Sequence, residues 1–212
     1  MKNGIKSTLI RHISDNWVLY IIVLFAFIVG IAAGSFSVGA MDETQRSELI
    51  DTINNFFVIL GTTPMDTSAI FKQSLLNNGE MALLSWVFGL IAIIGVPLIF
   101  LLIVMRGFVI GFTVGFMVKE FAYRGLLFVT LSMLPSNIIS IPVSMAMAVV
   151  STRYSIYLWK NRQNIMDKAQ RRQQFLIYTV IVLILFGALF IATLIETFIA
   201  PALVSLFSDA LK

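Results

Sequence analysis

Few side chains in this chain have types and spacing suited to chemistry. The tightest group is Lys119, Glu120 and Arg124, a cation–anion–cation set within one short stretch. Inside a membrane such a cluster would mark a polar pathway, because ionisable groups in hydrocarbon persist only with partners. Arg106 and Glu196 each stand alone beside long apolar runs, where anchoring or capping at the membrane interface is the plain expectation. The acids Asp42, Glu43, Glu48 and Asp51 fall on the polar side of an amphipathic stretch, which reads as a solvated face and not as an acid–base pair. The one histidine, His12, lies among basic residues, and a lone histidine makes no metal site. With no cysteine there are no disulfides, thiolate metal sites or cysteine nucleophiles. No HExxH, GxSxG or glycine-rich phosphate loop occurs. The expectation is a protein that is not an enzyme, with no catalytic residue, no cofactor and no metal.

The elements that must position these residues are apolar. Of 212 residues, 58% are hydrophobic and 12% charged, against about 45–50% and about 25% in soluble domains. Too little polar surface remains to cover a water-soluble globule, so the excess must face a lipid bilayer. The net charge of +4 comes from basic clusters between apolar runs. No aromatic residues interleave with a basic stripe, which argues against nucleic-acid binding.

The runs predict an all-α integral membrane protein with about five transmembrane helices, over residues 17–39, 81–105, 107–122, 125–150 and 175–199. The first run is charge-free from Trp17 to Gly39 and, at about 1.5 Å per residue, exceeds the roughly 30 Å hydrocarbon core. Ala32-Ala33-Gly34-Ser35 offers small residues for signal cleavage, but the run is longer than the roughly 7–15-residue core of a signal peptide, so an uncleaved span is expected. Residues 40–80 form an amphipathic segment in which Leu49, Ile50, Ile53, Phe56, Phe57 and Leu60 recur at helical spacing, with Asp42 and Gln45 as start signals. Leu49, Ile53, Phe56, Phe57 and Leu60 form its docking face. Gly61 and Pro64 break it, and a shorter helix over 67–77 follows.

Lys and Arg are concentrated at the N-terminus and in the loop 153–174, and scarce in 40–80. The positive-inside rule therefore makes the N-terminus and 153–174 cytoplasmic, 40–80 extracytoplasmic and the C-terminus external. Residues 107–150 must then cross an even number of times. Two crossings with a turn at 119–124, or a re-entrant region, both meet that condition.

Gly107, Gly111 and Gly115 line one helix face, and Gly30 and Gly34 repeat the spacing on the first span. Such strips let helix backbones approach closely. Close packing within one chain and a homodimer face both fit the spacing. Pro135, in Leu134-Pro135-Ser136-Asn137, and Pro142 should kink the fourth run, since proline removes a backbone donor. Ser132, Ser136 and Asn137 can satisfy the groups that the break frees.

The run from Arg106 through Phe116, followed by Gly125 through Pro142 with its two Leu-Pro and Ile-Pro pairs, resembles the stage II sporulation protein M family. Asn77-Asn78 before the second span and Glu196-Thr197-Phe198-Ile199-Ala200-Pro201 at the end of the last agree with it. The wider family often carries a histidine after the first proline and a glutamate before the second; here Ser136 and Ser140 stand in those places, which fits the sporulation branch. The resemblance implies a non-enzymatic scaffold of the engulfment complex in endospore formation. It would sit in the bacterial cell membrane at the sporulation septum and engulfing mother-cell membrane. Its implied partners are two peptidoglycan hydrolases, the stage II sporulation proteins D and P. The rival expectation from the Lys119–Arg124 cluster and the kinked fourth run is a permease-like transporter subunit.

Overall fold

The computed structural model describes residues 14–62, 66–162 and 168–206. Among them there are only helices: α1 Trp17–Ser37, α2 Glu43–Thr62, α3 Thr67–Leu90, α4 Gly95–Ser132, α5 Leu134–Lys160 and α6 Lys168–Leu206, with a 3₁₀ turn Val38–Ala40 after α1. Four helical stretches, over α1 with its 3₁₀ turn, α4, α5 and α6, are long and apolar enough to cross a membrane. Their outward faces are large apolar side chains. Phe25 is 67% exposed and Ile184 likewise 67%, an arrangement that water would penalise and lipid accommodates.

Side-chain contacts fix the helix directions. Phe27, Ile31 and Ser35 of α1 face Gly107, Gly111 and Gly115 of α4 in the same order, so these two helices are parallel. Ser74, Asn78 and Trp86 of α3 meet Glu196, Thr193 and Thr179 of α6 in reverse order, so these are antiparallel. At one end of the bundle Lys119 donates to the Val38 carbonyl (3.3 Å) and Arg46 to Glu120; this is the acidic end, where α2 begins. At the other end Ser155 donates to the carbonyls of Ile91 and Ala92, at 2.9 Å each; this is the basic end.

Three expectations from the sequence are corrected by the positions of the breaks. Residues 81–105 are not one helix. The chain stops at Leu90, turns through 91–94 and restarts at Gly95. Gly95 is needed there because a Cβ would strike the Phe88 carbonyl, and Pro97 fits the first helical turn, where its missing N–H costs nothing. Residues 67–77 are not a separate surface helix but the first half of α3, started by Asp66, whose side chain accepts from Ser68 N (2.9 Å) and Ala69 N (3.2 Å). And Arg106 is not the end of a span: it lies well inside α4, which runs unbroken through it.

The turn of α4 at the acidic end is sharp. Ala122 has φ 46° and ψ −121°, a region that side-chain-bearing residues rarely occupy. Beyond it the chain folds back so closely that a Cβ on Gly125 would meet the Met117 carbonyl. The stretch up to this break spans about 40 Å at the usual helical rise. Pro135 falls in the first turn of α5 and Pro142 within that helix. The break therefore sits at Met133, just before the proline, and Pro135 starts a helix instead of kinking one.

Two apolar clusters fill the bundle. Val23, Phe27, Ile99, Ile103 and Val149 join α1, α4 and α5. Ala82, Met147, Tyr178, Val182 and Leu189 join α3, α5 and α6.

Candidate functional site

One group of interior polar residues gathers where α3, α4 and α6 meet, and a second lies along α5, from Ser136 to Ser155. Ser74 Oγ donates to Glu196 Oε2 at 2.8 Å. Asn78 Nδ2 donates to Thr193 Oγ1 at 3.0 Å, and Thr197 Oγ1 to the Thr193 carbonyl at 2.8 Å. Arg106 Nη2 reaches Asn78 Oδ1 at 3.5 Å. Ser74, Asn78, Thr193 and Thr197 are all buried. The residues converge because antiparallel α3 and α6 present hydroxyls and amides at matching levels, and α4 brings Arg106 between them.

An arginine at mid-helix in a membrane costs about 2.5–3.5 kcal/mol on insertion scales. Glu196 and Asn78 offset that cost, one by charge and one by accepting a hydrogen bond. The cation is incompletely matched: Arg106 Nε is buried with no hydrogen-bond partner, as are Ser85 Oγ and Thr152 Oγ1. Among the described residues, the ion pairs within 4 Å belong to Arg46, with Glu43 and Glu120, and not to Arg106. Chemically, the Ser74–Glu196 contact places a hydroxyl on a carboxylate, but Ser74 is only 2% exposed. The arrangement is one of mutual satisfaction among buried groups.

Nearer the basic end the same polar stitching continues. Tyr178 Oη lies 3.2 Å from the Ser85 carbonyl, 3.0 Å from the Trp86 carbonyl and 3.1 Å from Ser151 Oγ. A Cβ on Gly89 would collide with that hydroxyl. Tyr178 stacks on Tyr154 with ring centres 4.2 Å apart.

The charged trio that the sequence brings forward is divided. Glu120 takes a two-pronged ion pair from Arg46, both contacts at 2.9 Å, and its side chain is only 7% exposed. The hydrogen bond and charge of Glu120 raise the Arg46 pKa above its usual value. Lys119 and Arg124 are exposed, with Lys119 bound to the Val38 carbonyl. The trio thus closes the acidic end of α4 and ties α2 to it, and does not line an interior path.

Gly107 and Gly111 face the carbonyls of Phe27 and Ile31, Gly30 and Gly34 those of Val104 and Phe108, and Gly115 faces Ser35. The glycine face is thereby filled by α1 of the same chain. On α2, Leu49, Ile50 and Ile53 are half-buried and Glu48, Asp51 and Thr52 exposed. The side chains of Phe56, Phe57 and Leu60 lie outside the described residues, as do His12 and residues 163–167. Cavities lined by described residues include one of about 320 Å³ between α3 and α6 beside Trp86 and Phe186, and one of about 210 Å³ at the basic end; neither is lined by Arg106 or Glu196.

Sequence reasoning missed the Arg106–Asn78–Glu196 convergence because it took Arg106 as a boundary. The available signal was Gly95-Val96-Pro97, a helix start eleven residues before Arg106. The segments that carry the family resemblance, around Asn78, Arg106 and Glu196, are the ones that meet here. The family model described as Stage II sporulation protein M matches residues 23–201. The chain belongs to the stage II sporulation protein M family. No curated protein and no solved structure matches it. Membership makes this a sporulation-related membrane protein, and the matched region takes in all of α2 to α5, together with the cluster and both glycine strips.

Proposed function

We propose that this member of the stage II sporulation protein M family is a membrane scaffold, without catalysis of its own, that positions peptidoglycan hydrolases during endospore formation. The observation that carries the proposal is α2. Among the described residues it makes no extended packing along another helix, and the Arg46–Glu120 ion pair ties its first turns to the bundle. An amphipathic helix tied at its first turns to the bundle, and joined through a short connection to α3, presents an apolar stripe for a partner or a membrane surface.

In this reading α1, α3, α4 up to Ala122, the return through α5, and α6 make five crossings. The alternating directions of these helices support it, as does the pairing of the turn at 91–94 with the basic end of α5. The N-terminus and the basic end are cytoplasmic; α2 and the end of α6 are extracytoplasmic, where cell-wall enzymes work. The site of action is the septum and engulfing mother-cell membrane, and the partners are the stage II sporulation proteins D and P.

The test is co-purification from detergent with each hydrolase. The scaffold should retain them while degrading no peptidoglycan alone. Retention of neither hydrolase, under conditions where the two hydrolases still bind each other, would refute the proposal.

A permease-like subunit is the second reading, and the half-buried charges Arg106 and Glu196 favour it. It requires a wet path to those groups. Because the chain has no native cysteine, single cysteines at Ser74, Asn78 and Ser85 can be probed with a membrane-impermeant thiol reagent. Rapid labelling at all three positions would select transport over scaffolding.

A further inference from the structure

We propose that the cavity at the basic end of α5 and α6 binds the phosphate headgroup of an anionic membrane lipid. The cavity, of about 210 Å³, is lined by Tyr154, Tyr157, Leu158, Asn161, Arg162 and Arg171. Its lining has two characters. Tyr154, Tyr157 and Leu158 supply aromatic and apolar surface, and the first of these is held in place by stacking on Tyr178 at 4.2 Å with the rings 5° from parallel. Arg162 and Arg171 supply two guanidinium groups, whose planar forks suit phosphate oxygens.

The position of the cavity selects a lipid over a soluble anion. Trp159, beside it in sequence, is 47% exposed, in the manner of residues that sit at the membrane–water boundary. One turn past Arg171, the lipid-facing surface of α6 begins with Phe175, Leu176 and Ile177, exposed by 36%, 50% and 45%. The two arginines therefore lie at headgroup level. A free phosphate would leave the aromatic floor uncovered, whereas a phospholipid covers it with its glycerol and upper acyl atoms while its phosphate meets the arginines.

Charge points the same way. α6 opens on Lys168, Arg171 and Arg172 with no acid in its first turn, at the helix end where the backbone dipole is itself positive. Lys160 closes α5 a few residues earlier. Basic pockets between helices at the cytoplasmic surface are a recurrent way of holding anionic headgroups. The inference needs the membrane assignment but not the scaffold role, so it can stand or fall separately.

The experiment uses the purified full-length protein in a neutral detergent, with native mass spectrometry reading retained lipid. With phosphatidylglycerol and phosphatidylcholine offered at equal concentration, the wild type should retain the former preferentially. The R162Q/R171Q variant should lose that preference by more than tenfold, since each arginine near a headgroup contributes about fivefold. R162K/R171K should keep part of it, and K72Q, at the opposite end, all of it. Both arginines are exposed, so the double variant should elute like wild type on size exclusion. Equal retention by wild type and R162Q/R171Q would overturn the proposal, as would equal retention of the two lipids. Displacement of phosphatidylglycerol by millimolar inorganic phosphate would assign the cavity to free phosphate and overturn it too. Independently of any variant, the preference should shrink as salt rises, and a salt-insensitive preference would speak against the arginines.

Discussion

The α1–α4 interface and the α3–α6 interface solve one problem in opposite ways. Both join helices in a setting where apolar side chains gain little from leaving lipid. On α1 and α4, five glycines remove the side chains, so that the backbone of each helix rests on the other: Gly34 against the Phe108 carbonyl, Gly111 against that of Ile31. On α3 and α6, side chains are kept and made polar, and Ser74, Asn78 and Trp86 bond to Glu196, Thr193 and Thr179 across the gap. The first interface is intolerant of added atoms. The second is intolerant of lost partners. Each predicts a different kind of damaging substitution.

The largest effect should come from Gly111→Leu. A Cβ at this position would already overlap the Ile31 carbonyl, and a backbone group cannot rotate away as a side chain can. Ordinary overpacking costs about 1–3 kcal/mol; here the loss should exceed the top of that range and release α1 from α4. Size exclusion in detergent should show an aggregated or unstable species. A monodisperse protein with a wild-type melting temperature would mean that the two helices are not packed backbone to backbone. Gly187→Leu on α6 is the control, because a Cβ there meets nothing within 4 Å, and its melting temperature should be unchanged.

Next come the two interior charges, Arg106 and Glu196. Glu196→Leu leaves the half-buried Arg106 without the charge of Glu196 and with only Asn78 to accept from it; because the two charges form no direct ion pair, the loss should fall below the about 3–5 kcal/mol of a broken buried pair. Removing both members should restore much of that loss, because Arg106→Leu together with Glu196→Leu leaves no unmatched charge. The check is a double-mutant cycle on thermal stability in one detergent. Additive losses in the double variant would show that the two residues do not sense each other. The cycle also bears on function: if the pair only holds the bundle together, the stabilised double variant keeps its hydrolase partners, whereas loss of retention in a stable double variant would give the pair a direct role in scaffolding.

How much of this was legible in the sequence follows the same division. Glycines at every fourth position announce close backbone approach without revealing which helix approaches, and the spacing of Gly30 and Gly34 against Gly107, Gly111 and Gly115 was readable at once. The polar interface was not. Its members are far apart in the chain, with Asn78 and Thr193 separated by 115 positions, and a hydroxyl in an apolar run has no periodicity to betray its partner. Arg106 misled for a related reason. A lone cation in a hydrophobic run looks like an end, and only a counter-charge ninety positions later (106 to 196) makes it an interior residue. The break at 91–94 was hidden because every residue from 91 to 94 is apolar; hydropathy sees no turn there, and only Gly95 and Pro97 mark it.

Within the polar interface, Tyr178→Phe isolates one hydroxyl. The ring still stacks on Tyr154, while the contacts to Ser151 and to the Ser85 and Trp86 carbonyls are lost. A net loss of about 1 kcal/mol is expected for such a group, seen as a small drop in melting temperature. A drop as large as that of Glu196→Leu would show that Tyr178 organises the α3–α6 contact and does not merely add to it.

The smallest effect on stability, and the one most telling about function, should come from Arg46→Ala. Arg46 belongs to neither interface; it joins α2 to Glu120 of α4 at the acidic end. Its removal breaks no core contact, and the Glu120 carboxylate left behind lies at the end of the bundle, where it can rehydrate as α2 loosens, so the melting temperature should fall only slightly. What should change is α2 itself. Without the ion pair its first turns lose their tether, so amides of residues 43–55 should exchange with deuterium several-fold faster while those of α1 and α4 keep their protection. Raising salt on the wild type should do the same only weakly, since the Arg46 side of the pair is partly open to screening while Glu120 is nearly buried. If α2 exchange does not respond to Arg46→Ala, something other than the ion pair holds the helix, and the picture of a surface element whose first turns are fixed by Arg46 fails. If exchange rises and hydrolase retention falls with it, the orientation of α2, set by a single ion pair, is what the partner reads.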